Sequence, residues 1–460
     1  MRPSGLLLLA AASVALAAHA PASTRPHYGG TLRLAIREAP ASLDPTDPGR
    51  SDTMAWRSLS GLIFDTLVTL DARGQAQPAL ATSWQADPGN QRWQFSIRRG
   101  VTFHDGAAVS SDAVAASLRA ANPDWKVFAT GEAVAVECSS PTADLPAELA
   151  LPRYGVARRA GGKLVGSGPF AINRWEAARR LTLTARDDYW GGRAFVDSIE
   201  IEMGKTFREQ MIALDLGKAD IVEVAPDQAR RAVVEGRRVE NSAPAEWMAL
   251  VFARDSQSAD ERKLHEALSL SIDRASLNNV LLQGAGEPAG TFLPNWLTGY
   301  AFLFPTMVDL PRARQLRSEV RLAPVWRLGY DASDPLARVV AERIALNGRD
   351  AGLTLQPLPL ESASSTVPDV RLVRALLPTL DARVALRVFA GIVGLPEPKF
   401  DGDPANGVYA AESSLLQSQR VIPLLHLRAA TALGANVMGW HEDPDGSWRL
   451  QNVWLETGKP

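Results

Sequence analysis

Residues 92–118 read RWQFSIRRGVTFHDGAAVSSDAVAASL, and the folding of this stretch decides how the rest of the chain is read. Trp93, Phe95 and Ile97 alternate with polar residues, the period of a strand with one buried face. Phe103 closes that alternation. His104 and Asp105 then stand side by side ahead of Gly106, which raises the question of a His–Asp catalytic pair or a metal site. Turn chemistry accounts for the same residues: Asp takes local backbone amides, and Gly accepts positive φ. Ser110 suits a helix N-cap, and Asp112 falls in the first turn, where the helix dipole favours a negative charge. Strand, turn and helix use every polar residue here, and nothing is left over for catalysis.

The same alternation recurs outward from this point. Leu32, Leu34 and Ile36 mark an early strand, and Leu181, Leu183, Ile199 and Ile201 mark two more around the turn DDYWGG. Helices are interleaved. Phe207, Met211 and Leu214 share one face. Residues 261–284 read as one long helix ending near Gly284, and the helix after Asp334 and Pro335 has an N-cap, Pro at its first position and Gly348 past its end. A strand LTLQPLPL follows, and residues 396–407, rich in Pro, read as a surface loop. The pattern is α/β, without internal repeats.

The 460 residues are enough for two or three domains, at about 100–200 residues each. A hydrophobic fraction of 46% demands a folded core. The net charge of -2 gives no reason to expect nucleic acid or an anionic membrane as partner. One cysteine, Cys138, excludes an internal disulfide and Cys-based zinc motifs. No HExxH, phosphate loop or GxSxG elbow is present, and the histidines lack metal-ligand spacing. His265 lies on a predicted helix with Leu264 and Leu268 and reads as a packed or capping residue. No cofactor, metal or catalytic residue is expected. The opening MRPSGLLLLAAASVALAAHAPAS has one Arg, a short apolar run and small residues, the layout of a signal peptide over residues 1–22, cut after Ala22. With no Cys at the cut, no lipid anchor is expected, and a free periplasmic protein follows.

The ordered blocks together carry a resemblance. YGGTLRLAIREAPASLDPT, IFDTLVTLDARGQAQPALATSWQ, the opening stretch, GSGPFAINRW, ARDDYWGGRAFVDSIEIEM, LDLGKADIVE and DERKLHEALSLSIDR follow one another from Tyr28 to about Tyr300. This set resembles the bacterial solute-binding proteins of family 5, the peptide/nickel-type receptors of ABC importers. VIPLLHLRAATAL and LQNVWLE are similar to the family's return crossing and final strand.

The resemblance implies a two-lobed α/β periplasmic-binding-protein-like fold, type II and cluster C, with the ligand cleft between lobes joined by a two-crossing hinge. The crossings would lie near residues 246–254 and 422–433. Lobe one would be residues 28–252 and 431–460, with a trimmed subdomain at about 50–165, and lobe two 253–430. The implied activity is capture of a peptide or similar polar solute by lobe closure and delivery to permease subunits, by a monomer. A ligand sensor or chaperone-like binder on the same scaffold is the alternative. By position, ligand contacts would fall on Glu38, Ala39 and Pro40, on the aromatics Trp125 and Trp296, and on Arg371 and Arg374. The family's peptide binders carry a Trp-x-x-Asp block whose acid holds the ligand amine. Here Ala375 and Pro378 stand at those two positions and Asp381 is out of register, so the two arginines would instead suit an anion.

Overall fold

The computed structural model describes residues 25–47, 52–361, 366–401 and 404–456. The segment read as a signal peptide and its cut after Ala22 lie outside the described residues. The opening stretch folds as its pattern requires. Arg92–Ile97 is a strand with Trp93, Phe95 and Ile97 buried and the alternate residues exposed. The carboxylate of Asp105 accepts the Ala107 amide at 3.2 Å, and Gly106 takes a φ of 83°. Ser110 caps the helix Ser111–Ala121 by accepting the Ala113 amide. His104 Nε2 lies 3.1 Å from the Gly168 carbonyl, and burial brings its pKa down to about 4. Asp105 pairs instead with Arg158 at 2.7 Å. His104 and Asp105 thus serve two separate structural tasks.

Among the described residues the main sheet has eleven strands. Thr31–Ala35 runs parallel to Ser198–Glu202 on one side and to Ile221–Val224 on the other. Val421–Leu433 pairs antiparallel with Ile221–Val224 and with Arg238–Phe252, which in turn pairs with Val370–Leu376. Val325–Asp331 and Thr354–Leu360 complete the far edge in parallel. A separate antiparallel sheet carries Arg92–Ile97 between Ala81–Ala86 and Ala133–Glu137. The two glycines of GSGPF pack this part together. A Cβ at Gly166 would lie 2.0 Å from the Ile63 carbonyl oxygen, and one at Gly168 would lie 2.7 Å from that of Leu62, so only Gly permits the approach to the helix Met54–Ile63.

Three local expectations need correction. The segment read as one long helix is divided: Ala259–Ser271 ends at Ile272, and Asp273 caps a new turn by accepting the Ser276 amide. The helix after Asp334 runs from Pro335 to Asp350, so Gly348 lies inside it, against Leu355, rather than past its end. The run read as a surface loop contains the start of the helix Pro404–Gln417.

The core is partitioned. Leu32, Leu34, Ile199 and Ile201 belong to one cluster, with Phe95, Phe103 and Leu118 in a satellite. Across the hinge, Met248, Leu268, Ile344 and Leu424 form a second main cluster, and Trp247, Phe292 and Phe389 another on the opposite face of the sheet. The two long strands Arg238–Phe252 and Val421–Leu433 join the halves. Their register breaks twice between Asn241 and Glu246, around Pro244, which has no N–H to give the ladder. Beyond that break, Met248, Leu250 and Phe252 face one core cluster and Trp247, Ala249 and Val251 the other, so the strand is buried on both faces.

Lobe two also holds an ionisable group in its interior. Glu412 Oε1 accepts the amides of Phe292 and Leu293 at 2.6 and 3.0 Å, and Oε2 accepts the Tyr300 hydroxyl at 2.7 Å. Burial pushes its carboxyl up to about 7 against the pull of those bonds. A carboxyl raised in the folded state favours folding in its protonated form, so ionisation removes stability as pH climbs from the ordinary value of 4.5 through about 7. Glu412→Gln keeps an acceptor for both amides and offers the tyrosine a donor. It is expected to raise Tm relative to the native protein at pH 8, with the gain vanishing by pH 4.5, as thermal melts at both values would show.

Candidate functional site: the cleft between the lobes

A cleft of about 860 Å³ opens where the two bodies meet. Its lobe-one wall comes from the helix Met54–Ile63 and the loop after it, at Arg57, Gly61 and Asp65, with Tyr189 and Trp190 beside them. Its floor is the hinge stretch 240–243, and Pro378, Thr379 and Leu380 face it from lobe two. A tight turn at residues 440–451 closes the far side.

Asp65 organises the first wall. Its buried carboxylate accepts the Tyr189 hydroxyl at 2.7 Å, the Ser167 hydroxyl at 2.8 Å and the Trp190 indole N–H at 3.1 Å. Burial raises its pKa against those three bonds. The block DDYWGG, read from sequence as a turn, therefore delivers two aromatic side chains to the cleft. The turn opposite is shaped by its own acids. Glu442 bridges to Trp448, the Gly446 amide reaches the Asp443 carbonyl, and Ser447 donates to Asp445 at 2.7 Å. The Trp448 amide donates to Ser58 Oγ at 3.0 Å, which ties the turn to the helix Met54–Ile63.

The lobes touch around the cleft. Arg57 is buried, paired with Asp52 at 2.7 Å, and donates to the Leu377 carbonyl across the gap. Gly74 sits so close to Leu380 that a Cβ would lie 2.5 Å from its carbonyl oxygen. Arg387, on the helix Ala382–Ile392 of lobe two, reaches Asp144 at 2.7 Å and Glu148 at 3.7 Å in the lobe-one subdomain. Val384 of the same helix is buried in the subdomain's apolar cluster. These contacts define a closed arrangement.

None of the seven residues placed by sequence lines this cleft. Glu38 accepts the Thr53 hydroxyl at the cap of the helix Met54–Ile63, and burial pushes its carboxyl up to about 7. The Pro40 carbonyl takes the Ala178 amide at 3.2 Å, and Ala39 lies against Gly204. Trp125 stacks on the buried Tyr154 with ring centroids 4.9 Å apart, inside the subdomain. Trp296 donates to the Pro244 carbonyl at 3.2 Å, beside the hinge. Arg371 is exposed on the strand Val370–Leu376. Arg374 is not available to an anion: Nε and Nη2 hold Glu246 at 2.9 and 2.6 Å, and Nη1 holds Asp334. Asp381 is committed as well, since it caps the helix Ala382–Ile392 through the amides of Arg383 and Val384. Sequence reasoning missed Asp65, Glu240 and the 440–451 turn. The one signal available for the last was an acid-rich turn, HEDPDGS, between two tryptophans.

Comparison with known proteins agrees with this architecture. The family model for bacterial extracellular solute-binding proteins, family 5 Middle, matches residues 75–374. The oligopeptide-binding protein AppA of Bacillus subtilis is 22% identical over 322 residues, which cover 63% of this chain and 57% of that protein. The chain thus spans a little under three fifths of that relative. Among solved structures, DppA from Helicobacter pylori in complex with peptide STSA superposes with a TM-score of 0.78 at 17% identity, covering 94% of this chain and 99% of that one. AgaA from A. tumefaciens R10, in complex with agropinic acid, gives 0.77 at 18% identity, with coverage of 94% and 99%. The match over residues 75–374 is decisive: the chain belongs to the bacterial extracellular solute-binding proteins, family 5.

Proposed function

We propose that this protein captures a polar solute in the 860 Å³ cleft by closure of its lobes and hands it to the permease of an ABC importer. The observation that carries the reading is the cleft itself, whose walls come from both lobes and the hinge. A ligand that touches both walls at once favours the closed form by the contacts it gains only there. No bond-breaking step is required, and the chain acts as a receptor rather than an enzyme. Lobe one is proposed to span residues 28 to about 243 together with the segment after about 429, and lobe two the chain between. Export to the periplasm rests on the amino-terminal signal pattern, and action as a monomer on the family resemblance. Among the described residues, no helix is long and apolar enough to cross a membrane. Ligand contact is assigned to the cleft walls rather than to the seven residues placed by sequence.

A thermal-shift screen of peptides, amines, dicarboxylates, sugars and metal chelates tests this reading. A ligand at 100 times its Kd stabilises the native state by about 2.7 kcal/mol, so a true ligand raises Tm by several degrees. No shift across the screen would count against a receptor.

A further inference from the structure

Residues 302–308 read FLFPTMV and lead into the helix Leu310–Ser318. Phe302 is 74% exposed, Leu303 56%, Met307 84% and Val308 43%. The loop that carries them is fixed at both ends. Phe304 packs inward, with its ring 5.6 Å from that of Tyr409 and its Cβ 2.9 Å from where a Cβ at Gly290 would lie. The Asp309 amide donates to the Leu270 carbonyl at 2.9 Å, and the Asp309 carboxylate caps the helix by accepting the Arg312 amide at 3.0 Å. Single exposed apolar residues are ordinary on a protein surface. A run of large ones on an anchored loop marks a contact surface.

A second observation concerns charge. Arg312, Arg314, Arg317 and Arg321 follow the loop, and none of the four forms an ion pair with an acid among the described residues. Arg314 donates to the Asp350 carbonyl, and Arg317 to the carbonyls of Gly352 and Val320. The nearby acids are spent elsewhere, Asp309 on the cap and Glu319 on Lys263 at 2.8 Å. Residues 302–321 thus hold four arginines against two acids, an excess of two positive charges on a chain whose net charge is -2. The pairing of cation and exposed apolar group recurs at the far end of the helix, where Leu322, 84% exposed, follows Arg321.

We propose that this face docks on an anionic lipid surface. Phe302, Leu303 and Met307 enter the boundary between headgroups and acyl chains, and the arginines meet the lipid phosphates. Apolar exposure alone would suit any hydrophobic partner. The uncompensated positive charge beside it selects a negative one, and guanidinium groups match phosphate geometry. Side chains that stand clear of the surface suit a deformable boundary. None of these residues lines the cleft, so lipid contact leaves solute capture free. Each cation near an anionic bilayer strengthens partitioning about fivefold, and each large apolar side chain taken out of water about tenfold.

The test uses the full mature chain, sedimented with vesicles of phosphatidylglycerol and phosphatidylethanolamine in equal parts or with vesicles of phosphatidylcholine alone. Native protein is expected to sediment with the anionic vesicles, to partition at least about tenfold more weakly onto phosphatidylcholine, and to be released as salt rises. Phe302→Ser combined with Met307→Ser is expected to weaken partitioning at least about tenfold. Arg312→Ser combined with Arg321→Ser is expected to remove most of the preference for phosphatidylglycerol. Val233→Ser combined with Val234→Ser, at exposed apolar residues of a different helix, is expected to change nothing. A Tm equal to the native value certifies the fold of each variant. The inference is overturned if native protein stays in solution with both vesicles, or if phosphatidylcholine captures it equally well. It is overturned as well if the Phe302 and Met307 double variant sediments like the native protein, since charge alone then accounts for the adsorption. A native dimer that the same double variant dissociates would make a second copy of this chain the occupant and would also defeat the inference. The receptor reading is untouched by any of these outcomes, because it is tested by solute binding in the cleft.

Discussion

Gly74→Ala is expected to hold the lobes apart and to abolish ligand capture while leaving each lobe folded. Gly74 occupies the tip of the turn between Val68–Leu70 and Ala76–Pro78, with a φ of 73°. The turn is secured from within: Asp71 accepts the amides of Arg73 and Gln75, and the Gly74 amide donates to the Asp71 carbonyl at 2.9 Å. The added methyl would sit 2.5 Å from the Leu380 carbonyl oxygen and 3.0 Å from its carbon, both backbone atoms of the other lobe. Backbone cannot step aside as a flexible side chain can, so the collision is relieved only by opening. Closure contributes the ligand contacts of the second wall, and its loss should weaken affinity at least about a hundredfold, by the arithmetic of a population pushed away from its binding-competent state. A positive φ also costs an alanine about 1 kcal/mol in stability. Gly100→Ala isolates that cost, since Gly100 has a φ of 78° and nothing within 4 Å of an added Cβ. Both variants should lose similar Tm, but only Gly74→Ala should lose binding and show a larger radius of gyration by small-angle scattering.

Arg387→Glu is expected to open the molecule by a second route, through charge. In the closed form the Arg387 guanidinium joins Asp144, Glu148 and Glu397, and the side chains of Asp144 and Glu148 are only 8% and 13% exposed. Burial works against that guanidinium's charge, and the surrounding carboxylates more than offset it, so its pKa is raised. A carboxylate in its place would face two acids already removed from water. Breaking a largely buried pair this way is worth about 3–5 kcal/mol, all of it charged to the closed form because opening separates the partners. Glu148 keeps Arg153 and the Tyr154 hydroxyl, so the subdomain itself should stay intact. The companion variant Asp144→Arg on the Arg387→Glu background should recover part of the affinity. Recovery in this double variant, measured as a coupling energy, distinguishes a bridge across the cleft from simple damage to the helix Ala382–Ile392.

The fold was legible because its signals are local. Alternation in Arg92–Ile97, the cap at Ser110 and the Pro335 start of a helix each depend on neighbours in sequence, and each appears where the pattern put it. The ordered blocks then fixed the family. The helix break at Ile272 escaped notice because Asp273 and Ser276 look like ordinary polar residues of a helix until their cap bond is seen. The site was far less legible. Arg374 looks like an anion holder in sequence, but its partners Glu246 and Asp334 stand 128 and 40 residues away. Trp125 and Asp381 likewise found structural partners. The residues that do line the cleft come from seven separate stretches of chain between Arg57 and Gln451, and their meaning arises only from juxtaposition. Asp65 is one acid in a strand-like block until Tyr189 and Trp190, more than a hundred residues on, converge on it.

The central claim is that the closed cleft holds a solute. Its most direct test is native mass spectrometry of the mature protein, isolated without denaturation from the cells that make it, beside Gly74→Ala treated identically. Expected is a native species heavier than the polypeptide by one small molecule, which is released on unfolding. The same species should be absent from the variant that cannot close. Native protein with no added mass, from cells supplied with peptides and amines, would contradict the account, as would an adduct retained equally by Gly74→Ala.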